Sequence, residues 1–280
     1  MHKFKNFALR RPFLFGIGLM FLYAILTALT YPIHFVFAEN EVGQLYGDAA
    51  SKFLVFLIFL AVLWRFGWIS ISGITRSGNV KVWLVIAGFT IYFVGTQLYA
   101  FTGSMTISFP NPKMANANLV FAFSTSLVEE TMVRGLVLIA MIQAWGSTKQ
   151  GQLKAILASS MLFGLIHLVN IFIRPVGIVL VQALIVTLPG IFYAALVLSY
   201  RSLWPPIVMH WLGNAAVNIK IIGIENYQET FSMWILFGIS LIPLLAFSAY
   251  KIRNLPQPHD AFAVDAEKTY GERKKFVPSS

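Results

Sequence analysis

The sequence predicts an all-α polytopic membrane protein, with about eight transmembrane helices forming one bundle around an intramembrane polar cavity. Three observations carry this prediction. Hydrophobic residues make up 58% of the 280-residue chain and charged residues 11%, with a mean hydropathy of +0.73, a composition foreign to a soluble domain of this length. Apolar windows recur at about the 20-residue length that crosses a hydrocarbon core. The basic residues fall in alternate loops, as residues that orient successive spans do.

The windows lie near 13–37, 52–71, 82–101, 118–145, 153–170, 176–199, 204–222 and 232–250. A basic segment ending at Arg11 precedes the first and resembles a signal-peptide n-region. No small-residue cleavage site follows, so the window reads as a retained span. Lys3, Lys5, Arg10 and Arg11 put the first end in the cytoplasm, and Glu39, Glu41 and Asp48 against a single Lys52 mark the next loop as external. Arg65, Arg76 and Lys81 return the chain to the cytoplasmic side. Lys149 and Lys154, then Arg201, then Lys251 and Arg253 do so after the fourth, sixth and eighth windows. Both termini are therefore expected in the cytoplasm. The formal net charge of +10 is spread as topology determinants rather than as a nucleic-acid surface.

Residues 1–253 read as one transmembrane domain, and the polar, proline-containing stretch 254–280 as a disordered cytoplasmic tail. Pro189-Gly190 is expected to interrupt the sixth helix, and Pro205-Pro206 to open the seventh. Trp64, Trp68, Trp204 and Trp211 read as interfacial belt anchors. Cysteine is absent, which excludes disulfides, thiolate ligands and a cysteine nucleophile.

Only two acids lie within the apolar windows, and they are neighbours: Glu129 and Glu130. A charge at bilayer depth costs about 2.5–3.5 kcal/mol on insertion scales and is kept mainly where it does chemistry or transport. Glu130 and Arg134, four apart, share a face and can neutralise each other as a structural ion pair. Glu129, about 100° around the helix, is left to project elsewhere. In the fifth window Phe163, His167 and Asn170 fall at i, i+4 and i+7 along one face. In the seventh, His210, Asn214 and Asn218 form a polar stripe four residues apart. These three windows, within a motif core near 118–222, supply a hydrolytic inventory. A carboxylate and an imidazole can deprotonate water, while a second imidazole and a carboxamide can hold an oxyanion. Alternatively, Glu129, His167 and His210 can ligate a divalent metal such as zinc, although the His-Glu-x-x-His pattern is missing.

Taken in order, Glu-Glu-x-x-x-Arg at 129–134, Phe-x-x-x-His at 163–167 and His-x-x-x-Asn at 210–214 resemble the motifs of the CPBP family of intramembrane proteases. That family comprises CAAX prenyl endopeptidases and bacterial bacteriocin-processing and self-immunity proteins. The resemblance implies an endopeptidase in which Glu129 and His167 activate water, His210 and Asn214 stabilise the oxyanion, and Glu130 and Arg134 are structural. It leaves a metal and a metal-free glutamate mechanism both open. It also implies a lipid bilayer around the chain, a peptide or membrane-anchored protein as substrate, and a bacterial-type plasma membrane as its location. The alternative readings are a non-catalytic immunity or scaffold protein and a proton-coupled transporter.

Overall fold

The computed structural model describes residues 2–37, 39–102, 112–223 and 227–255, with side chains left out at 2 and 219–223. Every regular element among them is helical. In chain order these are α1 (His2–Arg10), α2 (Pro12–Thr30), α3 (Pro32–Val36), α4 (Glu41–Phe66), α5 (Ile69–Ser72), α6 (Val80–Thr102) and α7 (Pro112–Glu130). α7 continues through a π-helical stretch (Thr131–Leu138) into α8 (Ile139–Trp145). α9 (Lys149–Leu165) tightens into a 3-10 stretch (Ile166–Phe172), and α10 (Val176–Tyr200), α11 (Trp204–Gly223), α12 (Phe231–Ser240) and α13 (Ile242–Arg253) complete the fold. Nearly all of the tail expected from 254 lies outside the described residues.

Local chemistry sets the helix ends. Pro12 opens α2 at a position whose N–H would be unpaired in any case. The side chains of Asn40, Thr148 and Thr230 accept from the backbone N–H groups of Gly43, Gly151 and Met233 at the starts of α4, α9 and α12. Because Asn40 caps α4, that helix begins at Glu41 rather than near residue 52. Asp48 and Lys52, read from the sequence as loop charges, are therefore helical and partly buried. Pro189 sits inside a continuous α10, so no break occurs there.

Five helical stretches are long and apolar enough to cross a membrane: Pro12–Val36, Glu41–Phe66, Val80–Thr102, Lys149–Phe172 and Val176–Tyr200. The pair Phe231–Ser240 and Ile242–Arg253, bent by 41°, makes a sixth if it is one span. Among the described residues the expected count of about eight is not confirmed by length and apolar composition. Two of the helices outside the count carry polar residues: Asn116, Asn118, Ser124, Ser126, Glu129 and Glu130 on α7, and His210, Asn214 and Asn218 on α11. α7 packs against α4 on one side and α11 on another, and α11 packs in turn on α6. Such helices can hold polar side chains because their neighbours, not lipid, face them.

The outer surface is apolar, with Phe21, Leu29, Ile91 and Leu184 largely exposed. Of the four tryptophans read as belt anchors, Trp64 is exposed, but Trp68 is buried. Trp68 meets Phe66 edge to face at 4.9 Å with the Lys5 ammonium 5.7 Å from its ring centre. Side-chain bonds to distant carbonyls draw the basic segments together at one end of the bundle. Lys5 Nζ donates to Phe66 at 2.5 Å, Trp204 Nε1 to Ile74 at 2.9 Å, Ser202 Oγ to Arg76, and Lys149 Nζ to Leu255.

Gly73, which caps α5 at φ 76, makes a close approach at this end: its carbonyl accepts from Leu203 N at 3.2 Å. A Cβ there would collide with the Arg201 carbonyl. Gly67, at φ 70, has open space around it. Gly67→Ala is expected to cost about 1–2 kcal/mol, the left-handed penalty alone. Gly73→Ala carries the same penalty plus the clash and should lower the melting temperature in detergent further. Equal melting temperatures would contradict the close approach.

Candidate active site

The π-helical stretch follows directly on Glu130 and is buried along its whole length, from Thr131 to Leu138. Such wide turns are uncommon and are found frequently at functional sites. Arg134, fully buried, donates from Nη1 to Glu130 Oε1 at 3.1 Å and from Nη2 to the Gly190 carbonyl at 3.3 Å. Its guanidinium carbon lies 4.2 Å from the Phe163 ring centre and 5.4 Å from that of Tyr193. Ion pair, carbonyl and two aromatic faces together compensate a cation that could not otherwise remain in a dry interior. A Cβ at Gly190 would stand 3.3 Å from Nη2 and 3.1 Å from the Ser160 Cβ, so a side chain there would require those neighbours to shift by a few tenths of an ångström.

His210, on α11, is held between both glutamates. Its Nδ1 is 2.9 Å from Glu130 Oε1 and its Nε2 is 3.8 Å from Glu129 Oε2. Tyr193 stacks on the imidazole at 5.7 Å, and Phe163 meets it edge to face at 5.5 Å. One turn on, Asn214 donates from Nδ2 to Ser126 Oγ at 3.2 Å, tying α11 to α7 a turn ahead of Glu130. Asn118 Nδ2 adds a second tie to the Ala215 carbonyl at 3.1 Å. Asn218, one turn beyond Asn214 on the same helix, is half-buried.

His167 and Asn170 sit in the 3-10 stretch rather than on a continuing α-helix. Three residues make one 3-10 turn, so these two side chains fall in line even though the α-helical spacing read from the sequence does not apply. His167 Nδ1 is 3.0 Å from the Phe163 carbonyl, to which it can only donate. That places its ring proton on Nδ1 and leaves the Nε2 lone pair free. Phe163 also packs its ring 5.4 Å from His167 and so touches both histidines and Arg134. Asn170 donates to Gln182 Oε1 at 3.2 Å, Arg174 Nη1 reaches the same oxygen at 3.0 Å, and Arg174 forms an ion pair with Glu229. This clasp anchors the 3-10 stretch to α10 and to the segment ahead of α12. Burial holds the Arg174 guanidinium below its ordinary value, and burial likewise pushes the Tyr227 phenol up to about 12. Tyr227 therefore stays protonated at neutral pH.

A cavity of about 880 Å³ lies between α2 and the 162–170 segment. Glu129, His167 and Asn170 line it, together with Tyr23, Lys52 and a largely apolar wall that includes Phe13, Ile17, Met20, Leu165 and Ile166. Glu130, Arg134, His210 and Asn214 are not among its lining residues. Sequence reasoning did not find Tyr23, Lys52 or Tyr193. A lone cation just inside an apolar window, one turn after Asp48, was the available signal for Lys52. The two aromatics carried none. As a metal set the candidates do not fit: among the described residues, no three His or carboxylate side chains converge in a way that could hold an ion.

No curated protein and no solved structure matches the chain. Residues 112–216, which run from the start of α7 to just past Asn214 on α11 and contain all three motifs, match the model of the Rce1-like type II CAAX prenyl endopeptidase family, consistent with the CPBP resemblance that those motifs carry.

Proposed function

We propose that the protein is an intramembrane endopeptidase that hydrolyses a peptide bond in a peptide or membrane-anchored protein, without a metal. The observation that carries this reading is the shared cavity. Glu129 and His167, from different helices, face one apolar-walled space of about 880 Å³, and His210 Nε2 stands 3.8 Å from Glu129 Oε2. The family matched over 112–216 is one of endopeptidases.

In this mechanism Glu129 and the free Nε2 of His167 draw a proton from water as it attacks the scissile carbonyl. The oxyanion that forms needs donors. Asn214 Nδ2 has a second N–H beyond the one on Ser126. His210 donates from Nε2 when its ring carries both protons, and the Glu130 carboxylate on Nδ1 is the counter-charge which that imidazolium requires. Glu130 and Arg134 thus act behind the reacting atoms. Breaking the C–N bond requires a proton on the departing amine, and the acid formed at Glu129 is placed to return it. The largely apolar wall of the cavity makes each charge within it count for more than it would in water.

The bundle end that gathers Lys5, Arg65, Arg76, Lys149, Arg201 and the segment at Leu255 is the cytoplasmic one in this reading, and both ends of the described chain lie there. A plasma membrane of bacterial type is the proposed location.

Two results are expected from purified protein in lipid nanodiscs given a library of membrane-anchored peptides. His167→Ala should lose about 10²–10⁴-fold of the cleavage rate while keeping its melting temperature. Cleavage by the wild type should persist after exhaustive treatment with a chelator, because the glutamate and histidines are not arranged as a ligand set. Loss of activity on chelation, restored by one added metal, would overturn the metal-free mechanism.

A further inference from the structure

The matched segment begins at residue 112, yet two residues well ahead of it reach the proposed catalytic carboxylate. Lys52 on α4 donates from Nζ to Tyr23 Oη at 2.8 Å. Tyr23, on α2, then donates from Oη to Glu129 Oε1 at 3.4 Å. The directions of these bonds are forced. An ammonium only donates and a carboxylate only accepts, so the phenol takes a bond from one and gives its proton to the other. The Lys52 ammonium also lies 4.7 Å from the Tyr23 ring centre, which holds the aromatic in place.

A lysine two to three turns inside an apolar helix demands a counter-charge. Two carboxylates supply it: Glu129, by way of the phenol, and Asp48, one turn earlier on α4, whose Oδ1 also stands 2.8 Å from His34 Nδ1. The facing groups on every element around Glu129 are then Tyr23 on α2, Lys52 on α4, His210 on α11, and Glu130 and Arg134 on its own helix and the π-helical stretch that continues it. His167 lies across the cavity. Of these, Tyr23 and Lys52 alone come from outside the matched segment.

We infer that Lys52 and Tyr23 are positioning residues for Glu129: a charge-assisted chain from the N-terminal helices that fixes the carboxylate's orientation and keeps one of its oxygens toward the cavity. Without the chain, the carboxylate is free to rotate toward His210, 3.8 Å away, and to abandon the geometry in which it meets water. This rests on Glu129 being the water-activating group. Outer groups that orient a reacting side chain through hydrogen bonds are typically worth about 10–100-fold in activity, the range known for partners of metal ligands.

The test uses the protein in nanodiscs as Lys52→Met, Lys52→Arg, Tyr23→Phe and Glu129→Gln, and as Glu129→Gln combined with each of the other three. Cleavage kinetics are read alongside infrared difference spectra of each Glu129-containing protein minus its own Glu129→Gln counterpart, which isolate the carboxylate stretch without any substrate. Lys52→Met and Tyr23→Phe should lower kcat about 10–100-fold with KM unchanged, and the carboxylate band should move. Lys52→Arg, which keeps the charge and donors, should restore most of both. An unmoved band, or unchanged kcat in Lys52→Met, overturns the inference while leaving Glu129 in its role. A loss confined to KM also overturns it, making Lys52 a substrate contact instead. Wild-type cleavage by folded Glu129→Gln would instead remove the reading on which the inference rests.

Discussion

Glu129→Gln is expected to abolish peptide cleavage, by about 10²–10⁴-fold from loss of the base alone, in a protein that still folds and melts near the wild-type temperature. The amide keeps the size of the carboxylate and can still accept from Tyr23 Oη, whose bond to Glu129 Oε1 measures 3.4 Å. Only the charge and basicity are lost. Folding should tolerate the change because Glu129 lines the cavity instead of filling a dry contact, and Lys52, which loses one counter-charge, keeps Asp48 one turn earlier on α4. The measurement is a single-turnover assay on a membrane-anchored peptide with a parallel thermal melt. Cleavage that survives in the folded variant would sink the mechanism. An intact cellular phenotype without cleavage would favour a non-catalytic role.

Arg134→Met should have the opposite profile, failing in stability before activity can be asked. Arg134 and Glu130 are both fully buried, and His210 draws on the same Glu130 oxygen. Removing one member of a buried ion pair leaves the other charge uncompensated and typically costs about 3–5 kcal/mol, a large share of the stability of an ordinary domain. The variant also loses the bond to Gly190 and the faces of Phe163 and Tyr193. Folded yield and melting temperature in detergent are the readouts. The double variant Arg134→Met with Glu130→Gln should recover part of the loss, since it leaves no unpaired charge. If Arg134→Met melts with the wild type, the pair is not what holds these helices together.

Much of this was legible in the chain. The helical, membrane-embedded architecture follows from apolar windows and sparse charge, and the neighbouring acids at 129 and 130 stand out because charge at that depth is costly. The three motifs point to the segment that the family match covers. Periodicity was less reliable where the helix changes its winding. The π-helical turn after Glu130 and the 3-10 turn around His167 are decided by packing and by which carbonyls need partners, and neither leaves a mark in an α-helical count of residues. The span count of about eight is not confirmed by length and apolar composition for a related reason. α7 and α11 carry their polar side chains into neighbouring helices, so their composition resembles that of a half-soluble helix although each is packed on several sides.

Composition, and spacing within one helix, suffice for the helical membrane fold and for the adjacent acids with their basic partner four residues on. The remaining features came from the packing of helices against one another. It set His210 between two glutamates, turned Phe163 to touch both histidines and Arg134, buried Trp68, and brought Tyr23 to Glu129 across 106 residues and Lys52 to Tyr23 across 29. Contacts between distant segments follow from how helices pack, and a polar group buried by that packing must find whichever partner the neighbouring helix presents.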